Sequence, residues 1–301
     1  MPARITSLIA LVASTMLFAA SYTLTKVALV DLPPFTLGLA RFVLAGAILA
    51  LWAVLTHQPL PSSADRRRLA IAALLGVTAY FAVENLALQW ANATDAALLV
   101  ASYPALTALA DAAVNRRRTA PAAWWGIGLA GLGVVGVVAA VPDAASITPL
   151  RLWGDLLLLI PGVLWAFYTF VTREITTGPV LTIAWQDAIG GLAFLPLVLL
   201  EVPSWHWPAQ LPATLAALAG LTGLCSIAAM ITYAHALRGL ASTTVVTGLN
   251  LVPLWGLVIA AVFLHEQVQP LQLLGGLIVC AGVTLTARSA RTTEPVLEPS
   301  S

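Results

Sequence analysis

Tyr80 and Glu84 lie four residues apart in the apolar stretch AYFAVENLAL, with Asn85 adjacent. An i, i+4 pair shares one face of a helix, so a phenol and a carboxylate would line the same surface. Such a face can contact a substrate amine or carry a coupling proton. It can equally be neutralised by Arg41, the nearest cation by depth, in a structural ion pair. Trp165 and Tyr168 in LWAFYTFVTR, and Tyr103, Asn250 and Phe18 in other apolar runs, are further candidates for a binding surface. Covalent chemistry has no comparable candidates. The four histidines fall in separate segments, and no metal-ligand spacing, H-E-x-x-H, nucleophile elbow or phosphate-cradling glycine loop occurs. Cys225 and Cys280 sit inside apolar runs and read as small core residues. No catalytic residue, metal or cofactor is expected; the polar residues point to binding and movement of a small molecule. No basic tract has the aromatic interleaving of a nucleic-acid binder.

What must position these residues is a membrane bundle. Of 301 residues, 60% are hydrophobic and 9% charged, far below the roughly 25% charged of soluble domains. Apolar runs of helix-spanning length recur, and lipid requires every backbone group to be paired internally, so helices follow. Ten spans are expected near 5–29, 35–56, 69–91, 94–114, 122–141, 152–173, 179–200, 212–235, 241–264 and 270–288. Arg4 followed by an apolar run and Phe18-Ala19-Ala20 imitates a signal peptide, but the run continues to about residue 29, so it is read as retained. In this arrangement eleven of the fourteen Lys and Arg residues fall on one side, with Lys26, Arg41 and Arg151 elsewhere. The positive-inside rule then places both termini in the cytoplasm. Trp124, Trp125, Trp205 and Trp207 read as interfacial anchors, with a gate at the latter two as the alternative. The tail 292–301 is expected to be disordered.

Phe18-Ala19 through Thr25-Lys26 is echoed 147 positions later by Trp165-Ala166 through Thr172-Arg173. Ala87-Leu88, Thr94, Pro104, Gly126 and Gly133-Val134 recur 149 positions later as Ala236-Leu237, Thr243, Pro253, Gly275 and Gly282-Val283. Halves of five spans, 1–145 and 146–291, must lie upside down relative to one another. Inverted repeats can rock about a central site and expose it to either side. The expected fold is therefore all-α and polytopic, with ten transmembrane helices as two inverted five-helix repeats around a central cavity. Pro104 and Pro253, mid-helix in mated spans, read as hinges or static kinks. The glycines of the fifth and tenth spans read as packing, or as a dimer face.

Ionisable residues within spans cost roughly 2.5–3.5 kcal/mol each on insertion scales. Lys26 is expected to snorkel to the headgroups and Asp111 to pair with Arg116. Asp187 is nearly the repeat mate of Arg41, which inversion places toward the other leaflet. A structural or gating role is expected for it, with Arg173 as the nearer partner by depth.

FAASYTLTKVAL, PP and LARFVLAGAIL resemble the start of EamA-type members of the drug/metabolite transporter superfamily. TGLNLVPLWGLVIAAVFLHEQV followed by GGLIVCAGVTL resembles their end. The resemblance implies a secondary transporter of the bacterial inner membrane, a monomer or homodimer in contact with lipids and a small-molecule substrate. LWAFYTFV is similar to the sixth helix of YddG-type amino-acid exporters, which implies that Trp165 faces the cavity, with Tyr103-Pro104 matching their aromatic-proline step. Phe18 stands where many relatives have tryptophan. The expected activity is export of amino acids or similar metabolites by alternating access. The alternatives are efflux of lipophilic cations, with Glu84 as the key anion, and, distantly, a membrane-embedded lipid enzyme.

Overall fold

The computed structural model describes residues 2–115, 121–140, 148–240, 244–245 and 248–291. Arg116–Arg118, Thr243, the boundary near 145 and the tail from 292 lie outside them, as does the expected Asp111–Arg116 pairing. The described residues are helical, without strands. Eight helices are long and apolar enough to cross a bilayer: α1 (Arg4–Ala28), α2 (Pro34–Leu55), α3 (Ser63–Leu88), α4 (Ala93–Val114), α5 (Pro121–Ala139), α6 (Pro149–Thr172), α7 (Pro179–Val198) and α8 (Leu211–Gly239). Two apolar helices are shorter, α9 (Leu249–Phe263) and α10 (Pro270–Thr286).

Proline opens α2, α5, α6, α7 and α10, where its missing N–H would have no helical partner anyway. Hydroxyl caps start two of the helices: Ser62 Oγ accepts from Asp65 N at 3.1 Å and Thr148 Oγ1 from Arg151 N at 3.2 Å.

Helix α5 packs along α10, and α2 along α7. Helix α1 packs on α8 and α9, α6 packs on α3 and α4, and α4 meets α9. This contact pattern is unchanged when each helix of the first five is exchanged for its counterpart among the second five. The closest approaches obey the same exchange. A Cβ on Gly126 would lie 2.6 Å from the Gly282 carbonyl, and one on Gly133 would lie 2.6 Å from that of Gly275. The mates of 126 and 133 are 275 and 282, so one backbone contact is the image of the other. These four glycines are consumed inside the chain, not at a dimer face. Gly128 and Gly131 face open space.

The local irregularities also recur. Leu74–Ala79 in α3 and Gly220–Ala228 in α8 are π-helical. Val100–Ser102 in α4 and Leu249–Leu251 at the start of α9 are 3₁₀ turns, each followed two residues later by Pro104 or Pro253. The second member of each pair ends 149 positions after the first. A proline near a new helical start cannot donate backward, and the chain tightens there into i→i+3 bonds.

Candidate functional site

The π segment of α3 delivers Tyr80 and Glu84 into the bundle. Glu84 is 2% exposed, and Tyr80, Tyr103 and Tyr22 are buried around it. Glu84, Tyr103 and Tyr22 all bear electrostatically on the Tyr80 phenol. Tyr80 meets Tyr103 edge-on, with ring centroids 6.3 Å apart, and Trp165 at 6.2 Å; Trp165 stacks on Tyr168 at 5.0 Å. Two glycines make room for this wall. A Cβ on Gly76 would strike the Tyr168 ring at 2.4 Å, and one on Gly162 the Tyr103 ring at 2.6 Å.

A break in α6 holds Tyr103 in place. The helix is interrupted at Leu158–Leu159 ahead of Pro161. Gly162 N turns to Leu159 O at 3.1 Å, which leaves the Leu158 carbonyl without its usual i+4 donor. The Tyr103 hydroxyl donates to that carbonyl at 3.0 Å. The free acceptor follows from the turn of Gly162 at this break, and the phenol answers it.

Arg41 crosses between the halves. Its Nε donates to Ser226 Oγ in α8 at 2.9 Å and its Nη1 to Ser21 Oγ in α1 at 3.1 Å. The guanidinium lies 4.8 Å from the Phe42 ring centroid and 4.7 Å from that of Phe81, close enough for cation–π attraction. Glu84 and Asp187 both act on it electrostatically. Among the described residues, however, no ion pair within 4 Å joins Arg41 to either acid. The expected Arg41–Glu84 bridge is therefore not closed, and Asp187, although it acts on Arg41 electrostatically, does not pair with it either. Arg173 does not serve Asp187; its guanidinium lies over Phe170, 5.2 Å from the centroid. Among the described residues, Asp187 Oδ2 and the neighbouring Gln186 Nε2 are buried without a hydrogen-bond partner, while Gln186 Oε1 accepts from the Tyr168 hydroxyl at 3.2 Å. Buried unpaired polar atoms are rare in native folds, and each needs an explanation.

The structure thus gathers Tyr80, Glu84, Tyr103, Trp165 and Tyr168, with Arg41 and Asp187 beside them. Phe18 packs against the buried cluster that contains Tyr22, at the margin of this group, and Asn250 is not joined to it. Phe18 meets Tyr233 edge-on at 6.0 Å, and Asn250 sits in the 3₁₀ turn before Pro253, joined to the cluster by no described hydrogen bond, ion pair or ring contact. Tyr22, Ser21, Ser226 and Gln186 escaped notice in the sequence. Tyr22 carried a signal, being four residues after Phe18 on the repeated phrase.

Lys26 does not snorkel. Its Nζ donates to the carbonyls of Leu88 at 2.9 Å and Ala91 at 2.8 Å, capping the C-terminal end of α3, where the helix dipole favours a cation.

Carboxylates tie the two halves together at both poles. Asp31, after α1, accepts from Ala209 N at 2.9 Å, Gln210 N at 3.0 Å and the Thr214 hydroxyl at the start of α8. At the arginine-rich pole Asp65, at the start of α3, accepts from Thr177 N at 3.1 Å and from the Thr176 and Thr177 hydroxyls, both at 2.8 Å. Thr214 is the 149-residue mate of Asp65, and Thr177 lies 146 positions after Asp31. The same latch is built twice with acid and threonine exchanged. Glu201 adds a third tie, accepting from Phe35 N at 2.8 Å and Thr36 N at 2.7 Å at the start of α2. Clefts flank the latches. One of about 380 Å³ includes Asp65, Thr176 and Arg238, and one of about 400 Å³ at the opposite pole includes Asp31, Glu201 and His206.

The Asp31 carboxyl lies outside the spans. It is held below the ordinary carboxylate range, chiefly by the Thr214 hydroxyl and further by the Gln210 and Ala209 amides.

Known proteins share this organisation. A solved crystal structure, 22% identical, covers the whole chain and 99% of its own with a TM-score of 0.59, which is a likeness of fold. An uncharacterized transporter of Archaeoglobus fulgidus is 34% identical over 286 residues, covering 92% of this chain and 96% of that protein. A probable terminal-alkyne amino-acid exporter of Streptantibioticus cattleyicolor is 28% identical over 284 residues, covering 93% and 92%. The EamA-like transporter family model matches twice, over residues 5–139 and again over 152–288. The chain belongs to the EamA-like transporter family.

Proposed function

We propose that this transporter exports amino acids or similar small zwitterionic metabolites across the bacterial inner membrane by alternating access. In this reading α9 and α10 also cross the bilayer, which makes ten spans in two inverted five-helix repeats, with both termini cytoplasmic. Inversion is supported by which helix ends meet. Lys26 joins the C-terminal ends of α1 and α3, and Gly154, near the start of α6, packs against Ala87 and Ala91 at the end of α3. In this reading helices α1 and α6 run in opposite directions.

The observation that carries the substrate class is Arg41 and Glu84, opposite charges buried in one aromatic-walled region and not closed onto each other. A zwitterion brings a carboxylate for the guanidinium and an ammonium for the acid, so neither charge need lose its compensation on binding. The rings of Tyr80, Tyr103 and Trp165 would take the apolar part, and Asp187 and Gln186 offer free polar atoms. A lipophilic cation would use Glu84 and Trp165 but leave Arg41 opposed to its charge, so that reading ranks second. The latches at Asp31–Thr214 and Asp65–Thr177 would open in alternation as the halves rock, with Pro104 and Pro253 as the hinges.

Counterflow in liposomes tests this. Protein preloaded with unlabelled amino acids is expected to accumulate a labelled one, with competition by amino acids and not by a quaternary ammonium compound. Competition by the quaternary ammonium alone would select cation efflux. Absence of counterflow with every amino acid tested would remove the reading.

A further inference from the structure

Opposite the arginine-rich pole lies a second ionic cluster that the binding region above does not use. It joins Asp95 of α4, Arg151 and Asp155 of α6, Lys26 of α1, Gln272 of α10 and Glu266 of the α9–α10 connection. Arg151 Nη2 bonds Asp95 Oδ2 at 2.9 Å and the Ala140 carbonyl at 3.0 Å, and Gln272 Nε2 donates to Asp95 Oδ1 at 2.6 Å. Asp95 and Asp155 are both 0% exposed.

Two of the charges are answered by helix ends. Glu266 accepts from Ala93 N and Thr94 N, both at 2.9 Å, at the positive end of α4. Lys26 is held by the C-terminal carbonyls of α3. Each matches the dipole it meets. What remains is two buried carboxylates, Asp95 and Asp155, around one guanidinium. Asp95 takes the direct bond. Asp155 approaches Arg151 Nε only to 3.9 Å, and among the described residues both its oxygens, the Arg151 Nε and the Thr94 Oγ1 are buried without hydrogen-bond partners. A carboxylate removed from water with neither a hydrogen bond nor a full countercharge costs several kcal/mol.

We propose that Asp155 is the binding site for one small monovalent cation, a proton or a sodium ion, which completes the charge of this cluster. The ion would reach it only when α4 and α6 part at this pole, because Asp95, Arg151 and Gln272 seal the cluster on the side of α4 and α10. Occupancy would therefore follow the opening of this end of the bundle, giving an exchanger or symporter its coupling ion. This proposal does not rest on the substrate reading, and its test needs no substrate.

The test is thermal unfolding of the purified full-length protein, at acidic and alkaline pH, in sodium, potassium and choline chloride. Wild type is expected to gain a few degrees from the bound ion by mass action. If acid supplies the gain at every salt, the ion is a proton; if sodium supplies it and potassium does not, the ion is sodium. Asp155→Asn, which removes the charge and keeps the shape, is expected to fold, to melt near the saturated wild-type value and to lose that dependence. Glu84→Gln is expected to retain it. If Asp155→Asn keeps the wild-type ion dependence, or melts well below wild type in every condition, Asp155 is a plain structural partner of Arg151 and the proposal fails.

Discussion

Arg41 is held by hydroxyls and aromatic faces instead of by an acid, and this distinguishes it from an ordinary buried ion-pair member. Ser21 and Ser226 fix its direction, Phe42 and Phe81 cover it, and Glu84 and Asp187 supply field without contact. The arrangement leaves donors and acceptors of both signs for a third party. Glu84→Gln removes the acid and keeps the shape, and is expected to lower amino-acid counterflow at least about ten-fold, the loss of roughly 1.4 kcal/mol of binding. Tyr80→Phe removes the phenol hydroxyl beside Glu84 and is expected to weaken apparent affinity with little effect on the melting temperature. Asp31 makes a different prediction. Its folded-state carboxyl is depressed by the Thr214 hydroxyl and two amides. The stability it contributes is therefore present above the unfolded value of about 3.9 and is lost as pH falls through the lower folded value. Thermal melts of wild type should decline over that acid window more steeply than those of Asp31→Asn.

Among elements, α5 and α10 pack through glycine to within backbone contact, and α2 and α7 do so through Gly46 and Gly191, whose added Cβ atoms would lie 2.6 Å from Ala188 N and 2.7 Å from Val43 N. Lipid offers no hydrophobic drive between helices, so such contacts rest on close van der Waals fit. Gly133→Leu would force the α5–α10 seam apart and should destabilise by about 1–3 kcal/mol, the usual cost of overpacking. Gly128→Leu, which faces open space, should leave the melting temperature near wild type. Comparing the two melts separates seam from surface. The π turns in α3 and α8 matter for a different reason. An i→i+5 turn inserts a residue and re-aims the helix after it, and Tyr80 and Glu84 follow directly on the first.

At the scale of the whole molecule, the halves are alike in backbone and unlike in side-chain chemistry. The latches follow the pseudo-symmetry, Asp31 with Thr214 and Thr177 with Asp65. The tyrosine cluster does not, because the mates of Glu84, Tyr80 and Tyr103 are Tyr233, Ala229 and Val252. Symmetric joints suit a scaffold that rocks, and an asymmetric lining suits a small molecule without symmetry. Joining Asp31→Cys to Thr214→Cys by a disulfide, with Cys225 and Cys280 replaced by serine, should reduce counterflow to background, and reduction should restore it. Full activity in the oxidised protein would show that this joint stays closed throughout the cycle.

The helical membrane class, eight of the spans and the kinship of the halves were legible in the chain alone. They depend on local composition and periodicity, and on a repeat written in proline and glycine, which report backbone geometry directly. Tyr80, Glu84, Tyr103 and Trp165 could be named because polar and aromatic groups are rare in apolar runs. Which charges meet could not be read that way. Asp95 and Asp155 look like residues at the edges of helices, and only folding buries them around Arg151. Lys26 looks like a snorkelling lysine until the end of α3 is brought to it. Depth along a helix follows from one segment; rotation about its axis and the choice of neighbour are set by packing among all of them. Tertiary structure therefore decided which buried charges meet and which stay open, while sequence decided that such charges would need partners.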